Sequence, residues 1–189
     1  KVVWAYAGVR PLYSEAGADK AASKVSRDYF LERHPDTSQP LITVYGGKIT
    51  TFRCLSEDAA GMASEALGQE TKAWTHDAPL PGGDLPGGFD AFEAEMLKTY
   101  TDLPAKLVSR YARYYGSRLP DMLGAEAPSI QVLGHHFGGD LYEIEVRFMM
   151  ATEWARRAED IVWRRSKQGL RMTKEQIQAL DEWMQAQAA

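Results

Sequence analysis

Short apolar runs in the first third of the chain predict strands. Three runs rich in β-branched or aromatic residues lie at residues 2–6, 27–32 and 41–45, a composition that favours a pleated and half-buried surface. Small and polar residues fill positions 14–26 and predict an exposed loop. The front of the chain is therefore expected to form a segment of β-sheet.

Helical spacing begins after the third run. Apolar residues recur every three or four positions, which places them on one face of a helix. They are Phe52, Leu55, Ala59 and Met62. This stripe predicts one helix that ends before Gly68.

The second half of the chain has helical spacing almost throughout. Residues 79–88 come first and are too rich in proline and glycine for a helix or a central strand. Beyond them, Pro104 suits the start of a helix and Gly116 its end. Thr173 and Gln176 have the spacing of a capping box, which predicts the start of the last helix.

These elements predict an α+β chain in three parts. Residues 1–68 would form a partial β-sheet with one helix, residues 69–88 a linker, and residues 89–189 a small all-α domain. The chain opens on an apolar run at Lys1 with no initiator methionine. We therefore expect a fragment of a longer polypeptide.

Composition excludes several classes of protein. The net charge of −4 gives no bulk positive field for nucleic acid. No apolar run approaches the ~20 residues needed to span a bilayer. The single cysteine, Cys54, excludes an internal disulfide and suits a reducing cytosolic compartment.

The junction between the third strand and the first helix is the strongest candidate for a binding site. Gly46 and Gly47 have no Cβ, so a ligand can approach their backbone closely. Thr50 or Thr51 is expected to cap the helix, whose first N–H groups favour negative charge. Lys48 adds a full positive charge. The segment therefore predicts a site for a negatively charged group.

Three local sequences together resemble the membrane-associated, FAD-dependent glycerol-3-phosphate dehydrogenases. They are the Gly-Val-Arg-Pro-Leu at residues 8–12, the Gly-Gly-Lys-Ile-Thr-Thr-Phe-Arg at 46–53, and the run from Glu153 to Gly169. In order and spacing they are similar to the last third of such an enzyme, and they cover nearly the whole chain. Residues 80–83 are a fourth, weaker match.

The resemblance implies roles for particular residues. Arg10 would lie over the flavin and contact the substrate phosphate, and Lys48 would lie near both. A guanidinium and an ammonium are suited to a dianionic phosphate and to the charge that develops on reduced flavin. The implied cofactor-binding residues are Gly46, Gly47, Lys48, Ile49 and Thr50. The resemblance places no catalytic residue and no metal ligand in this chain, because the proton acceptor would lie in the missing N-terminal FAD domain.

The implied parent enzyme oxidises glycerol 3-phosphate to dihydroxyacetone phosphate. It would pass electrons to a quinone, because relatives that use oxygen carry an insertion between the arginine loop and the Gly-Gly-Lys loop, and the connection from Arg10 to Lys48 is short. The enzyme would be cytoplasmic and peripheral on the inner membrane, with a homodimer as a further possibility. FAD is expected in the parent, and the fragment alone is expected to be inactive and free of flavin.

The sequence is also compatible with other interpretations. Residues after Gly88 suit a non-catalytic helical interaction or dimerisation module. The parent protein would also suit another amino-acid-oxidase-like flavoprotein or an oxygen-using glycerol-phosphate oxidase.

His135 and His136 lack a third ligand at a familiar metal-binding spacing and are interpreted as loop residues. The arginines between residues 156 and 165 alternate with acidic residues and predict salt bridges. The tryptophans are interpreted as core or interface residues: Trp154, Trp163 and Trp183.

Overall fold

The computed structural model describes residues 1–9, 27–35, 39–124 and 129–188. It divides into two compact units, Lys1–Ala78 and Pro79–Ala189. This division falls inside the stretch predicted as a linker, residues 69–88. The assignment of the three predicted parts to domains stays a prediction.

The first unit contains an antiparallel pair of strands and one helix. Strand β1 spans Tyr29–His34 and strand β2 spans Leu41–Gly46, with Tyr29 opposite Gly46. A 3₁₀ turn at Ile49–Thr51 leads into helix α1, Phe52–Ala66. The strands predicted at residues 27–32 and 41–45 and the helix predicted to end before Gly68 are confirmed, and their observed ends differ from the predicted ones by at most two residues.

The prediction of a strand at residues 2–6 is wrong. The structure gives these residues no strand, and Val2, Val3 and Tyr6 are largely exposed. An apolar run becomes a strand only when a neighbouring strand satisfies its backbone groups. The expected loop at residues 14–26 lies outside the described residues.

Apolar side chains of the first unit stay uncovered. Helix α1 has no buried residue, and Phe30, Val44 and Phe52 are each close to half exposed. A two-stranded sheet with one helix is too small to bury its own apolar surface. The described residues of this unit therefore form a sheet and a helix without a closed core.

The second unit is mainly helical. Its helices are α2 (Gly88–Thr99), α3 (Ala105–Tyr115), α4 (Leu119–Leu123), α5 (Glu143–Thr152) and α6 (Lys174–Ala188), with a π-helical turn at Asp160–Arg165. Shorter 3₁₀ turns lie at Gly116–Arg118, Ile130–Leu133 and Gln168–Leu170. Strands β3 (His136–Gly138) and β4 (Leu141–Tyr142) form a small antiparallel hairpin. The α+β class is therefore confirmed, with a short hairpin in the unit that was expected to be all helix.

The predicted helix boundaries in this unit are confirmed at two places. Pro104 is the residue before α3 and Gly116 the residue after it. At the start of α6, the backbone N–H of Thr173 donates to Gln176 Oε1 at 2.9 Å, and the backbone N–H of Gln176 donates to Thr173 Oγ1 at 3.3 Å. This reciprocal pair is the predicted capping box.

Two apolar clusters hold the second unit together. One gathers residues of α2, α3 and α4, with Tyr100, Val108 and Leu119 almost fully buried. The other gathers residues of β4, α5, the π-helical turn and α6, with Val146 and Leu180 fully buried. Large buried apolar side chains each stabilise a fold by roughly 1.5–3 kcal/mol, so the helical unit contains most of the packing free energy of the described chain.

Candidate functional site

The chain turns sharply where β2 ends. Gly46 has a φ of +71° and Gly47 a φ of +100°, a region that residues with a Cβ rarely adopt. A Cβ on Gly47 would lie 3.2 Å from Leu55 Cδ1 of α1. Glycine is therefore required at position 47 by the turn and by its close packing on the helix that follows.

Lys48 lies immediately after this turn. Its side chain is 44% exposed, and its Nζ lies 3.3 Å from Oδ1 of Asp28. The strand register explains this pair, because Tyr29 lies opposite Gly46 and thus brings Asp28 beside the residues after Gly47. The ammonium is accessible from solvent and is partly balanced by one carboxylate.

The expected threonine cap of α1 is wrong. The side chain of Thr51, the N-cap residue of α1, makes no capping hydrogen bond. Instead, the hydroxyl of Thr51 donates to the carbonyl oxygen of Lys48 at 3.0 Å, and the backbone N–H of Thr51 donates to the same oxygen. Thr51 occupies the N-cap position of α1, but its hydroxyl is bonded within the 3₁₀ turn, and Thr51 therefore closes the turn after the glycines.

The remaining predicted cofactor-binding residues face solvent. Ile49 is 84% exposed and Thr50 is also exposed. The segment from Gly46 to Thr50 therefore presents a bare glycine backbone, an ammonium and an aliphatic side chain side by side. This combination fits an isoalloxazine ring, which offers an apolar face and an edge that becomes negative on reduction.

The position of Arg10 lies outside the described residues. Its predicted convergence with Lys48 on a shared ligand therefore stays a prediction. The assignment of substrate and cofactor roles to Gly46, Gly47, Ile49 and Thr50 has the same status.

Hydrogen bonds fix α1 against its neighbours. Tyr29 donates to Asp58 Oδ2 at 2.5 Å, and this bond, aided by partial desolvation and the Asp58 charge, raises the pKa of Tyr29 to about 12. Thr75 donates to Glu57 Oε1 through its hydroxyl at 2.6 Å and its backbone N–H at 3.0 Å. These two bonds lower the pKa of Glu57. The helix that begins at the candidate site is thus tied to β1 and to the segment after it.

A buried ionic cluster in the second unit escaped the sequence analysis. Arg110 donates to both carboxylate oxygens of Glu145, at 2.8 and 2.6 Å, and to the carbonyl oxygen of Asp140 at 2.7 Å. Tyr115 donates to Glu145 Oε1 at 2.8 Å, and Glu145 is fully buried. Burial opposes the charge of Arg110, but the bonds to Glu145 outweigh it and raise the pKa of the guanidinium.

This cluster has a structural explanation. Burial and the Glu145 carboxylate raise the pKa of Tyr115 far above its ordinary value, so its hydroxyl stays protonated and donates. Arg110 and Tyr115 belong to α3 and Glu145 to α5, and the Asp140 carbonyl lies in the turn of the hairpin. The cluster therefore joins α3 to α5 and to the hairpin. The one signal in the sequence was a charged residue, Arg110, within the apolar stripe of α3.

The paired histidines and the arginine run are in structural contacts. His136 Nε2 lies 2.9 Å from the carbonyl oxygen of Gly139, within the hairpin. The described residues contain no group of three or more His, Cys, Asp or Glu side chains placed to hold a metal ion.

Arg164 forms an ion pair with Asp160 at 2.6 Å and Arg165 one with Glu153 at 3.4 Å. The prediction that acidic residues pair with this run is confirmed.

No helix among the described residues combines the length and the apolar character that crossing a membrane requires.

Comparison with known proteins identifies the family. Residues 73–189, more than half of the chain, match the model of the C-terminal domain of alpha-glycerophosphate oxidase. The chain is 42% identical over 183 residues to D-erythritol 1-phosphate dehydrogenase of Brucella abortus. It is 38% identical over 184 residues to the aerobic glycerol-3-phosphate dehydrogenase of Escherichia coli and 38% identical over 190 residues to the glycerol-3-phosphate dehydrogenase of Pseudomonas aeruginosa.

These alignments cover 96–98% of the chain, and the chain spans 36% of the length of each relative. The match to the C-terminal domain model and the three relatives agree with one another. The chain therefore belongs to the family of the glycerol-3-phosphate oxidases and dehydrogenases, and it contains their C-terminal domain.

Proposed function

We propose that this chain is part of a flavoenzyme that oxidises glycerol 3-phosphate to dihydroxyacetone phosphate. Membership of the family supports the proposal, as do the two relatives named glycerol-3-phosphate dehydrogenase. The observation that carries it is the segment from Gly46 to Thr50, where an accessible ammonium stands beside bare backbone and an exposed aliphatic side chain.

FAD, bound mainly by the rest of the longer polypeptide, supplies a two-electron acceptor. The oxidation removes a hydride equivalent from the carbinol carbon and a proton from its hydroxyl, and a base outside this chain takes the proton. Lys48 attracts the dianionic phosphate and favours the reduced state of the acceptor by its positive charge. Ile49 offers an apolar contact, and Arg10 supplies a guanidinium, whose charge and paired donors suit phosphate oxygens.

D-erythritol 1-phosphate is a second candidate substrate. The relative that is 42% identical carries this substrate in its name. Both compounds are polyols with a terminal phosphate dianion, and the Lys48 charge recognises the part that they share. The two compounds differ in the length of the polyol, and no residue of this chain has been assigned a contact with that part of the substrate.

The proposed final acceptor is a membrane quinone. The short connection between Arg10 and Lys48 supports a dehydrogenase over an oxygen-using enzyme, although the matching family model is named for an oxidase. Quinones are dissolved in the bilayer, so the proposal places the enzyme at the cytoplasmic face of the inner membrane as a peripheral protein. A homodimer is part of the same proposal.

Anaerobic mixing of the intact polypeptide with each polyol phosphate tests the function. Loss of the flavin absorbance band on addition of glycerol 3-phosphate supports it, and faster loss with D-erythritol 1-phosphate would favour the second candidate. Re-oxidation by a soluble quinone analogue faster than by dissolved oxygen supports the acceptor. An intact polypeptide that lacks flavin, or whose flavin neither compound reduces, contradicts the proposal.

An Arg10→Ala substitution in the same polypeptide tests the second substrate contact. A bidentate guanidinium–phosphate contact contributes about 1.5–3 kcal/mol, so flavin reduction by glycerol 3-phosphate should become at least tenfold less efficient. Arg27→Ala, a change of another arginine before β1, is the control. Near-normal reduction in the Arg10 variant would remove the role assigned to Arg10.

A further inference from the structure

Trp154 has an exposed side chain on an unusual backbone. The side chain is 81% exposed, and its φ of +55° lies in the left-handed region. It follows Glu153, the C-cap of α5, at a position that glycine usually occupies because it has no Cβ. The chain thus carries its largest type of side chain where the backbone favours the smallest one, and directs it into solvent.

Bonds on both sides of Trp154 hold this conformation. The N–H of Ala155 donates to the carbonyl oxygen of Met149 at 3.2 Å, and Ala155 is fully buried. Arg165 donates to the carbonyl oxygen of Glu153 and also lies 3.4 Å from its carboxylate. Because both neighbours are fixed, the backbone of Trp154 and the direction of its Cα–Cβ bond are fixed as well, and the side chain is presented to solvent.

The other tryptophans of the helical unit pack against their own chain. The ring of Trp163 covers Gly169 so closely that a Cβ there would lie 2.6 Å from it. Trp183 packs edge-on against Phe137, with 5.2 Å between ring centroids. Of these three tryptophans, only Trp154 does not pack against other described residues.

Two exposed arginines lie beside Trp154. The backbone N–H groups of Arg156 and Arg157 each donate to Asp160 Oδ2 at 3.0 Å. The Asp160 carboxylate pairs with the guanidinium of Arg164. Within the part of the chain that the structure describes, the guanidinium groups of Arg156 and Arg157 have no ion-pair partner. An exposed indole and two available guanidinium groups therefore share one short segment, residues 154–157.

We propose that residues 154–157 dock this domain onto the flavin-bearing part of the longer polypeptide. The indole of Trp154 enters an apolar pocket there, and the guanidinium groups of Arg156 and Arg157 meet carboxylates at its rim. The inference rests on the proposed function, because that function places the flavin in the rest of the polypeptide. The chain spans 36% of the length of its relatives, so about two thirds of such a protein is available to supply the pocket. Tryptophan and arginine are also, with tyrosine, enriched among the residues that contribute most of the binding free energy at protein interfaces.

A membrane surface explains the observations less well. A bilayer interface accepts tryptophan in many orientations, so it gives no reason to hold one in a strained conformation. Glu159, two residues beyond this segment, is also exposed, and its charge opposes anionic lipid headgroups. A preformed pocket, in contrast, binds a side chain whose backbone is already ordered, so that backbone loses little conformational entropy on docking.

Hydroxyl-radical footprinting of the intact polypeptide tests the docking directly. Oxidation of Trp154 should be at least fivefold slower in the folded protein than in urea, without any vesicles and independently of protein concentration. Protection below fivefold overturns the proposal. Protection that appears only with vesicles containing anionic lipid assigns the segment to a membrane, and protection lost on dilution assigns it to a second copy; both results also overturn it.

A Trp154→Gly variant separates docking from folding. Glycine suits the left-handed backbone, so the helical unit should keep its circular dichroism spectrum while the dissociation constant for FAD in the intact polypeptide rises about tenfold. Val132→Ala, at a 59% exposed position in the same unit, should leave that constant unchanged. A Trp154→Gly protein that binds FAD as the unsubstituted protein does overturns the docking. An unsubstituted protein with a protected Trp154 but no flavin overturns the proposed function and leaves the docking in place.

Discussion

The ammonium of Lys48 lies 3.3 Å from a carboxylate oxygen of Asp28. The two side chains are 44% and 71% exposed, so their pair contributes at most about 1 kcal/mol. A phosphate dianion has more charge than Asp28 and would displace it from Lys48. Asp28 is therefore expected to compete weakly with the substrate for the cation.

Replacement of Asp28 by asparagine tests this competition. In the intact enzyme, Asp28→Asn should lower the KM for the polyol phosphate about two- to fivefold, because it removes a competing charge worth up to about 1 kcal/mol. The value of kcat should stay within twofold. Asp77→Asn, at an exposed aspartate that pairs with His76, is the matched control. An unchanged or increased KM in the Asp28 variant would contradict the competition.

The bond between Glu57 and Thr75 predicts a pH dependence. The Thr75 hydroxyl and N–H lower the pKa of Glu57, so the bonded form is stabilised above the ordinary pKa of glutamate, about 4.3. This stabilisation is lost as the pH falls through the lowered pKa of the folded state. The backbone amide proton shift of Thr75, followed by NMR, should titrate with a midpoint below that of a free glutamate.

A Thr75→Val variant identifies the cause of that shift. Valine keeps the backbone donor but removes the hydroxyl, so the midpoint measured at residue 75 should move upward toward the ordinary pKa. Ser56→Ala, next to Glu57 in sequence, should leave it in place. A midpoint that does not move in the Thr75 variant would show that the hydroxyl bond is not the main cause.

The ion pair between Arg110 and Glu145 is expected to control the stability of the helical unit. Arg110→Met leaves the Glu145 carboxylate buried without its partner, so the free energy of unfolding should fall by about 3–5 kcal/mol. Urea unfolding followed by circular dichroism measures it. Arg113→Met, which loses only a contact over the Phe89 ring, should cost about 1 kcal/mol or less.

The double variant Arg110→Met, Glu145→Met shows how much of the lost stability comes from the unpaired Glu145 charge and how much from lost packing. Because neither buried charge remains, it should recover at least half of the stability lost in Arg110→Met. A double variant as unstable as the single one would contradict this account of the cluster.

Sequence patterns predicted the elements whose signals are local. Pro104 and Gly116 bracket α3, and Thr173 with Gln176 opens α6, because proline, glycine and capping side chains act on the backbone beside them. The wrong strand at residues 2–6 and the unpredicted hairpin at residues 136–142 depend on pairing partners. A single apolar run does not show whether such a partner exists.

The part of the candidate site that is contiguous in sequence was predictable. Gly46 to Thr50 are neighbours in sequence, and two glycines with positive φ can be inferred from their residue type. The pairing of Lys48 with Asp28 depends on the register of β1 and β2, and the burial of Glu145 against Arg110 depends on how α3 packs on α5. Such long-range contacts leave almost no local signal.

The 189-residue chain alone is expected to bind no flavin. It has the Gly46–Thr50 segment, but its sequence has no Gly-x-Gly-x-x-Gly for the dinucleotide. After purification in the presence of FAD and gel filtration, the chain should show no flavin absorbance band, and the intact polypeptide should show one. A stoichiometric band on the isolated chain would contradict the division of the site between the two parts.

The most direct test of the central claim is the rate of anaerobic flavin reduction by glycerol 3-phosphate in an intact Lys48→Met enzyme. Loss of a charge-assisted contact to the phosphate costs about 2–2.7 kcal/mol, so kcat/KM should fall about 30- to 100-fold, whereas the control Lys72→Met, at an exposed lysine of the same unit, should stay within twofold. A Lys48→Met enzyme as efficient as Lys72→Met would contradict the claim that the ammonium beside the glycine turn serves the substrate phosphate.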